Sequence, residues 1–415
     1  IVRFIEDSEA LKAGVQGKAE RLADAVVPFS FLLAGLVWLV TRNPARAASV
    51  LLVDYSCALK LSTPLAVLAA MKEGVGRGVL VKGGRFLESL AAADAVVFDK
   101  TGTLTESRPR VAEVIPGEGY ERDDILRTAA CLEEHFPHPV ARAVVRKAEQ
   151  EGLHHQEEHT EVEYVVAHGI ASRLHGKRVL FGSRHYIHHD EGVPVDAMRE
   201  DIERLAREGR SILYLAVDGK LAGLIAIEDP LRPEAAPVIR KLLGRGIRVV
   251  MLTGDDERTA AAVAERLGIS EYRSQVLPTD KAEVIRSLQA EGHTVAMLGD
   301  GINDSPALSA ADVGVTLSDG ADLAREVADV VLTECRLDGL VTAVDLSKAA
   351  MRRIRTDFGL IMTLNTVFLA SGLAGFLQPG PSALLHNLTT VGVSLNAMRP
   401  MLKAGAELQL EEVSA

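Results

Sequence analysis

The sequence predicts an α/β chain that also carries transmembrane helices, and three observations support that class. Apolar runs at 95–98, 247–252 and 294–298 each end in a loop bearing Gly or Asp, and helical patterns such as 257–267 and 280–291 follow, as in a parallel sheet covered by helices. Between about 117 and 217 the pattern changes to helical hairpins and short alternating strands such as 178–181, so a second domain is inserted. Four apolar stretches, near 23–40, 47–70, 358–377 and 382–398, approach the length needed to cross hydrocarbon as helices.

The outer segments read as two hairpins. The first stretch ends in the polar turn Thr41-Arg42-Asn43-Pro44-Ala45-Arg46, and the second is interrupted by Asp54, Lys60 and Pro64. The other pair is joined by Gln378-Pro379-Gly380-Pro381. Short outer turns place the N-terminus, the long middle part and the tail on one side. Lys72, Arg77, Arg352, Arg353 and Arg355 flank the inner ends, although Arg42 and Arg46 sit in an outer turn.

Bulk properties narrow the function. With 415 residues, two or three domains are expected, and a net charge of −11 argues against a nucleic-acid partner. The chain is 47% hydrophobic and 25% charged, so its apolar residues are concentrated in segments. Cys57, Cys131 and Cys335 share no close spacing, which encodes neither a disulfide framework nor a zinc finger and fits a reducing compartment. The first twenty residues lack the apolar core of a cleavable signal. His154-His155-Gln156-Glu157-Glu158-His159 reads as a solvated loop.

The chemistry is concentrated at the strand ends. Asp99, opening Asp99-Lys100-Thr101-Gly102-Thr103-Leu104-Thr105, stands at the exposed C-terminal end of a buried strand. There it can attack the γ-phosphorus of ATP and become an acyl phosphate. Thr253-Gly254-Asp255 follows the second strand and offers a hydroxyl and amides to the transferred phosphoryl group. Lys281 supplies positive charge to that group, and the run 299–304, Gly-Asp-Gly-Ile-Asn-Asp, follows the third strand. Asp300 beside Asp99 is a like-charge pair that calls for a cation, Mg²⁺.

These strings resemble, motif by motif and in order, those of P-type ATPases. The resemblance implies a haloacid-dehalogenase-like Rossmannoid phosphorylation domain with an inserted α+β nucleotide-binding domain, and two transmembrane helical hairpins. It assigns the nucleophile to Asp99, Mg²⁺ ligation to Asp99, the Thr101 carbonyl and Asp300 with support from Asp304, and phosphate contacts to Thr253, Gly254, Lys281 and Asn303. Asp229 and Arg232 resemble the family's hinge segment. Soluble phosphatases of this fold place a second aspartate two residues after the nucleophile as acid/base, where this chain has Thr101, so its aspartyl phosphate is expected to be long-lived. The implied limits are 1–22 for a linker after an actuator domain, 23–71 and 346–400 for the membrane hairpins, 72–116 with 218–345 for the phosphorylation domain, 117–217 for the nucleotide-binding domain, and 401–415 for a cytoplasmic tail.

Within the inserted domain, Glu133 and His138-Pro139 resemble the Glu and His-Pro signature of heavy-metal P-type ATPases, in which the histidine lies by the adenine. The family's serine two before the histidine is Phe136 here, and the first glycine of its Gly-x-Gly turn is Ala167, leaving Gly169. Gly182 is a further backbone approach to adenine.

The second membrane stretch holds Asp54, Cys57 and Lys60, ionisable groups that are costly in hydrocarbon and thus point to function. At 100° per residue they share one arc. The family's Cys-Pro-Cys or Ser-Pro-Cys is Tyr55-Ser56-Cys57 here, so the helix break is expected to rest on Pro64 or to be weaker, and Cu⁺, which favours two sulfurs, is disfavoured. Cys57, His386 and Asp54 form the expected ligand set for Zn²⁺ or Cd²⁺, with Lys60 as counter-ion where zinc members use a lysine at the place of Asn365. The family's Thr-Gly-Glu loop does not occur in the sequence, so the chain is expected to be the C-terminal part of a longer pump: truncated, split with a separate polypeptide carrying the actuator domain as partner, or drawn from an incomplete gene model. The resulting expectation is an integral protein of the plasma (inner) membrane that exports a divalent transition metal using ATP and Mg²⁺. The alternatives are a membrane-anchored phosphatase and a non-pumping ATP or metal sensor.

Overall fold

The computed structural model describes residues 14–106, 108–134, 139–153, 159–165, 169–299 and 302–402. They gather into two compact units, one built from the segments up to Ala93 and from Ala328, the other from Asp94–Val327.

The second unit contains the expected parallel sheet. Five parallel strands lie in the order Val313–Leu317, Val295–Leu298, Ala95–Asp99, Arg248–Leu252, Glu271–Arg273. Ala95–Asp99 is central and buried at every position, as its unbroken apolar run requires. The helix Glu257–Leu267 begins where the Asp256 carboxylate accepts the amides of Arg258 and Thr259, and stops at Gly268 in the left-handed conformation. The helices Pro278–Ala290 and Ser305–Ala310 contribute to a core that includes Val97, Val250, Leu252, Ile285 and Met297.

The inserted domain is a six-stranded antiparallel sheet in the order Arg110–Pro116, Lys220–Glu228, Ser211–Val217, Lys177–Gly182, Gly169–Leu174, His159–Val165. Its entry and exit strands, Arg110–Pro116 and Lys220–Glu228, pair with each other, so this sheet begins and ends outside 117–217. Side chains alternate between its faces. Ile170, Phe181, Leu215 and Ile225 join the core with Ile125 and Leu126 of the helix Arg122–Glu133, whereas Leu180, Tyr214 and Leu224 pack with Tyr186, Ile202 and Leu205. His159 opens a strand rather than closing a loop; the rest of the His154–Glu158 run lies outside the described residues.

The first unit is largely helical, with a short antiparallel pair of Val79–Val81 and Val330–Leu332. Among the described residues three stretches are long and apolar enough to cross a membrane: Asp24–Thr41, Pro44–Val75 and Asp338–Ala374. The fourth expected span is a helix, Pro379–Ala397, but His386, Asn387 and Asn396 keep it out of that set. The expectation that Pro64 breaks the second span is corrected. Pro64 lies inside an uninterrupted helix, Tyr55–Val75, and the break falls at Val53-Asp54, after the helix Pro44–Leu52. Asp54 causes it: its carboxylate accepts the Ser56 amide at 2.9 Å and starts a new helix, an alternative hydrogen-bonding scheme that Pro64 lacks. Asp338–Ala374 runs 37 residues, beginning well before the expected start at 358, and ends at Gly375, whose φ of 83° is left-handed.

Candidate functional site

Three strand ends meet at Asp99. It lies opposite Leu252, and the preceding Phe98 pairs with both Met251 and Leu298. Beyond Asp99 the chain turns widely: the Thr105 amide donates to the Lys100 carbonyl at 3.2 Å, and the Gly102 amide to the Thr105 hydroxyl at 2.8 Å. Gly102 has φ 79°, a conformation open to glycine at no steric cost. Asp99 is 5% exposed and Thr101 is exposed.

Lys281, on the first turn of Pro278–Ala290, brings two carboxylates together. Its Nζ lies 2.7 Å from Asp99 Oδ1 and 2.6 Å from Asp304 Oδ1, and all three residues are buried. Burial alone would pull the ammonium down, but the charges of Asp99 and Asp304 hold it well above the ordinary lysine value. Gly299 is needed beside this group, because a Cβ there would come within 2.7 Å of Asp304 Cβ. Asn303 is exposed, and Asp300 lies outside the described residues.

Thr253 is buried and reaches the site through Asp255. Its hydroxyl donates to Asp255 Oδ2 at 2.9 Å and accepts the Asp255 amide at 3.1 Å, while Gly254 is exposed in the turn. Lys100 forms an ion pair with the same Asp255, and Ser211 Oγ donates to Asp255 Oδ1 at 2.6 Å. Burial works against the Asp255 carboxylate, yet Lys100, Ser211 and Thr253 hold it below the usual carboxylate range. Sequence reasoning left out Lys100, Asp255 and Ser211 as site residues. One signal bears on the first pair: Asp99 and Leu252 end neighbouring strands in register, so the next residues, Lys100 and Thr253-Gly254-Asp255, emerge side by side.

The hinge braces the turn. Thr105 pairs with Leu231, its hydroxyl donates to Asp229 Oδ2, and Arg232 donates to the carbonyls of Thr105 at 3.0 Å and Gly102 at 3.2 Å. Burial raises the Asp229 carboxyl despite the Thr105 hydrogen bond.

In the inserted domain Gly169 and Gly182 are directly paired across neighbouring strands. Gly169 has a packing reason: a Cβ would lie 2.4 Å from the Phe181 carbonyl and 2.6 Å from Tyr186 Cδ1. Glu133 ends the helix Arg122–Glu133, which packs on the sheet face opposite to that of Tyr186, so the structure does not gather Glu133 with the glycines on one face. Burial pushes its carboxyl up to about 7, and with Arg142 and Arg146 it lines a cavity of about 230 Å³. His138 lies outside the described residues.

In the helical unit, Cys57 Sγ lies 3.2 Å from Asp54 Oδ2. His386 reaches Asp54 only through Asn365, whose amide donates to the Asp54 carbonyl at 3.2 Å and whose Oδ1 lies 3.3 Å from His386 Nδ1. Lys60 pairs with Asp24 at 2.6 Å rather than with Asp54. Among the described residues no three of His, Cys, Asp or Glu are grouped to hold a metal ion.

An aspartate at a central parallel strand end, a lysine shared between it and a second aspartate, and an inserted domain define a phosphoryl-transfer class. The family model for haloacid dehalogenase-like hydrolases matches residues 93–312, and the chain belongs to that family. Within it, the chain is a member of the heavy-metal P-type ATPases. It is 41% identical over 402 residues to a zinc-exporting P-type ATPase of Mycobacterium marinum, covering 96% of this chain and 55% of that protein. It is 40% identical over 402 residues to a manganese-exporting P-type ATPase of Mycobacterium bovis, covering 96% of this chain and 56% of the other. The crystal structure of a zinc-transporting PIB-type ATPase in the E2.Pi state aligns with a TM-score of 0.68 and 32% identity, over 92% of this chain and 66% of that one. The chain thus spans about half the length of the curated relatives it matches.

Proposed function

We propose that the chain takes part in ATP-driven export of a divalent transition metal, with Zn²⁺ or Cd²⁺ preferred, across the plasma membrane through an aspartyl phosphate on Asp99. The observation that carries this reading is the buried ion pair of Asp99 with Lys281, shared with Asp304. In the step, an Asp99 carboxylate oxygen bonds to the γ-phosphorus of ATP as the bond from that phosphorus to the bridging oxygen breaks, and ADP leaves with the electron pair. Lys281 offers its charge to the phosphoryl oxygens, and Thr253 its hydroxyl.

Mg²⁺ fits the donors present. Asp99 and Asp304 are hard oxygen ligands already converging on one cationic nitrogen, and the Thr101 carbonyl would complete the set together with Asp300. When bound, the ion supplies positive charge that draws electron density from the phosphoryl oxygens. The inserted domain is assigned to ATP through His138, Gly169 and Gly182, with Glu133 standing apart at the end of its helix on the opposite sheet face. Cys57, His386 and Asp54 are assigned to the cargo, supported by the close approach of Cys57 to Asp54 and by the helix break beside them.

The relatives named above are zinc-exporting and manganese-exporting, so the ion rests on the donor set of this chain: one thiolate, one imidazole and one carboxylate are borderline-soft and suit Zn²⁺. A phosphatase role is opposed by Thr101. Mg²⁺ and ATP should label the chain through an acid-stable, hydroxylamine-labile bond, and Asp99→Asn should abolish it. Equal labelling of that variant would overturn the assignment.

A further inference from the structure

Ser211 lies on the first residue of an inserted-domain strand, yet its hydroxyl is engaged by the phosphorylation sheet. Oγ donates its single proton to Asp255 Oδ1 at 2.6 Å and accepts from Lys100 Nζ at 3.4 Å. Asp255 in turn holds Lys100 by an ion pair and the Thr253 hydroxyl at 2.9 Å. Lys100 and Thr253 adjoin the two strand ends in register at Asp99. One hydroxyl from the inserted domain therefore completes the shell of a carboxylate that orients residues on both sides of the nucleophile. Neighbouring contacts fix the same junction: Thr259 Oγ1 donates to the Arg210 carbonyl at 3.3 Å, and Arg258 pairs with Glu203 at 3.2 Å.

We propose that Ser211 is a positioning residue for phosphoryl transfer, reporting the seating of the inserted domain to Asp99 through Asp255. This rests on the reading of Asp99 as nucleophile. The Asp255 side chain, 14% exposed, is held by Lys100, Thr253 and Ser211, and removing one hydroxyl loosens the carboxylate together with its two remaining partners. A threonine keeps the hydroxyl; alanine does not.

Ser211→Ala and Ser211→Thr in the full chain separate positioning from folding and from nucleotide affinity. Ser211→Ala should slow single-turnover labelling from Mg²⁺-ATP roughly tenfold, the scale for losing one hydrogen bond to a charged group, while the dissociation constant for a fluorescent ATP analogue changes less than about twofold. Ser211→Thr should label within about twofold of the parent. The Asp255 amide, which donates to Thr253 Oγ1, should exchange its hydrogen faster in Ser211→Ala and at the parental rate in Ser211→Thr. Equal labelling rates in parent and Ser211→Ala would overturn the proposal, as would a loss that threonine does not restore. If even the parent gains no label, the reading of Asp99 fails by itself, and hydrogen exchange decides whether Ser211 orders Asp255: unchanged exchange overturns that too.

Discussion

Lys281 and Asp99, far apart in sequence, form a buried ion pair with Nζ 2.7 Å from Oδ1. Because the same nitrogen also holds Asp304, removing it strands two carboxylates at once. Lys281→Met should lower stability by about 3–5 kcal/mol, the range for breaking a buried pair from one side, and cut labelling of Asp99 at least a hundredfold. Lys281 is held above its ordinary value, so its stabilisation is fully present below the unfolded value of about 10.4 and is lost only as pH rises through the folded one. Denaturant melts of parent and variant should therefore differ by the same amount at pH 6 and pH 9. A gap that closes by pH 9 contradicts the raised value.

Thr101 occupies the exposed position two residues beyond Asp99. Thr101→Asp introduces a proton-transfer group there, and general acid/base catalysis is worth on the order of a hundredfold or more. The decay of labelled chain after an ATP chase should accelerate by at least about tenfold in the variant. Unchanged decay would mean that an acid at this position cannot reach the bound phosphoryl group.

Burial pushes Glu133 up to about 7, above its unfolded value of about 4.3. The folded state holds an extra proton between these values. The favourable contribution is complete below about pH 4.3 and is lost as pH rises through 7. Glu133→Gln should melt at a higher temperature than the parent at pH 8 and at nearly the same temperature at pH 4.5. A difference independent of pH would show that the carboxyl titrates normally.

Cys57 and His386 reach the Asp54 region by different routes, one directly and one through Asn365. Cys57→Ala and His386→Ala should each remove most Zn²⁺ binding in detergent, and the pair together little more, since ligands of one ion act as a unit. Asn365→Leu, which deletes the link between His386 and the Asp54 carbonyl, should weaken binding roughly tenfold, as loss of an outer-shell partner does. Metal stoichiometry across Zn²⁺, Cd²⁺, Co²⁺ and Mn²⁺ is the measurement. Undiminished binding in both alanine variants would place the ion elsewhere.

The Asp99 site was legible because Asp99 and Thr253 follow apolar strands whose ends must converge once the sheet is parallel. Asp99, Thr253 and Lys281 needed only the strand order to be brought into one region. Ser211 was not legible, because its partner Asp255 is a contact between two domains and no periodicity encodes how an insertion seats. The membrane segment misled through Pro64. Proline interrupts one helical hydrogen bond, whereas Asp54 offers the backbone a competing cap, and the cap decided where the helix divides. Lys60 was put in the role of the lysine that zinc members carry at the place of Asn365, but its long flexible ammonium pairs with Asp24 of the first membrane stretch.

The 37-residue helix Asp338–Ala374 is about 55 Å long, well beyond the roughly 30 Å of a hydrocarbon core. It carries Asn365 on the same unbroken ladder of hydrogen bonds as Leu340 and Val344 at its buried early turns. A rotation of one residue, about 100°, applied at the early turns would swing Asn365 off the Asp54 carbonyl and away from His386. Torque applied far from the helix break thus becomes a means of engaging or releasing it, with no requirement that anything between the two ends change shape.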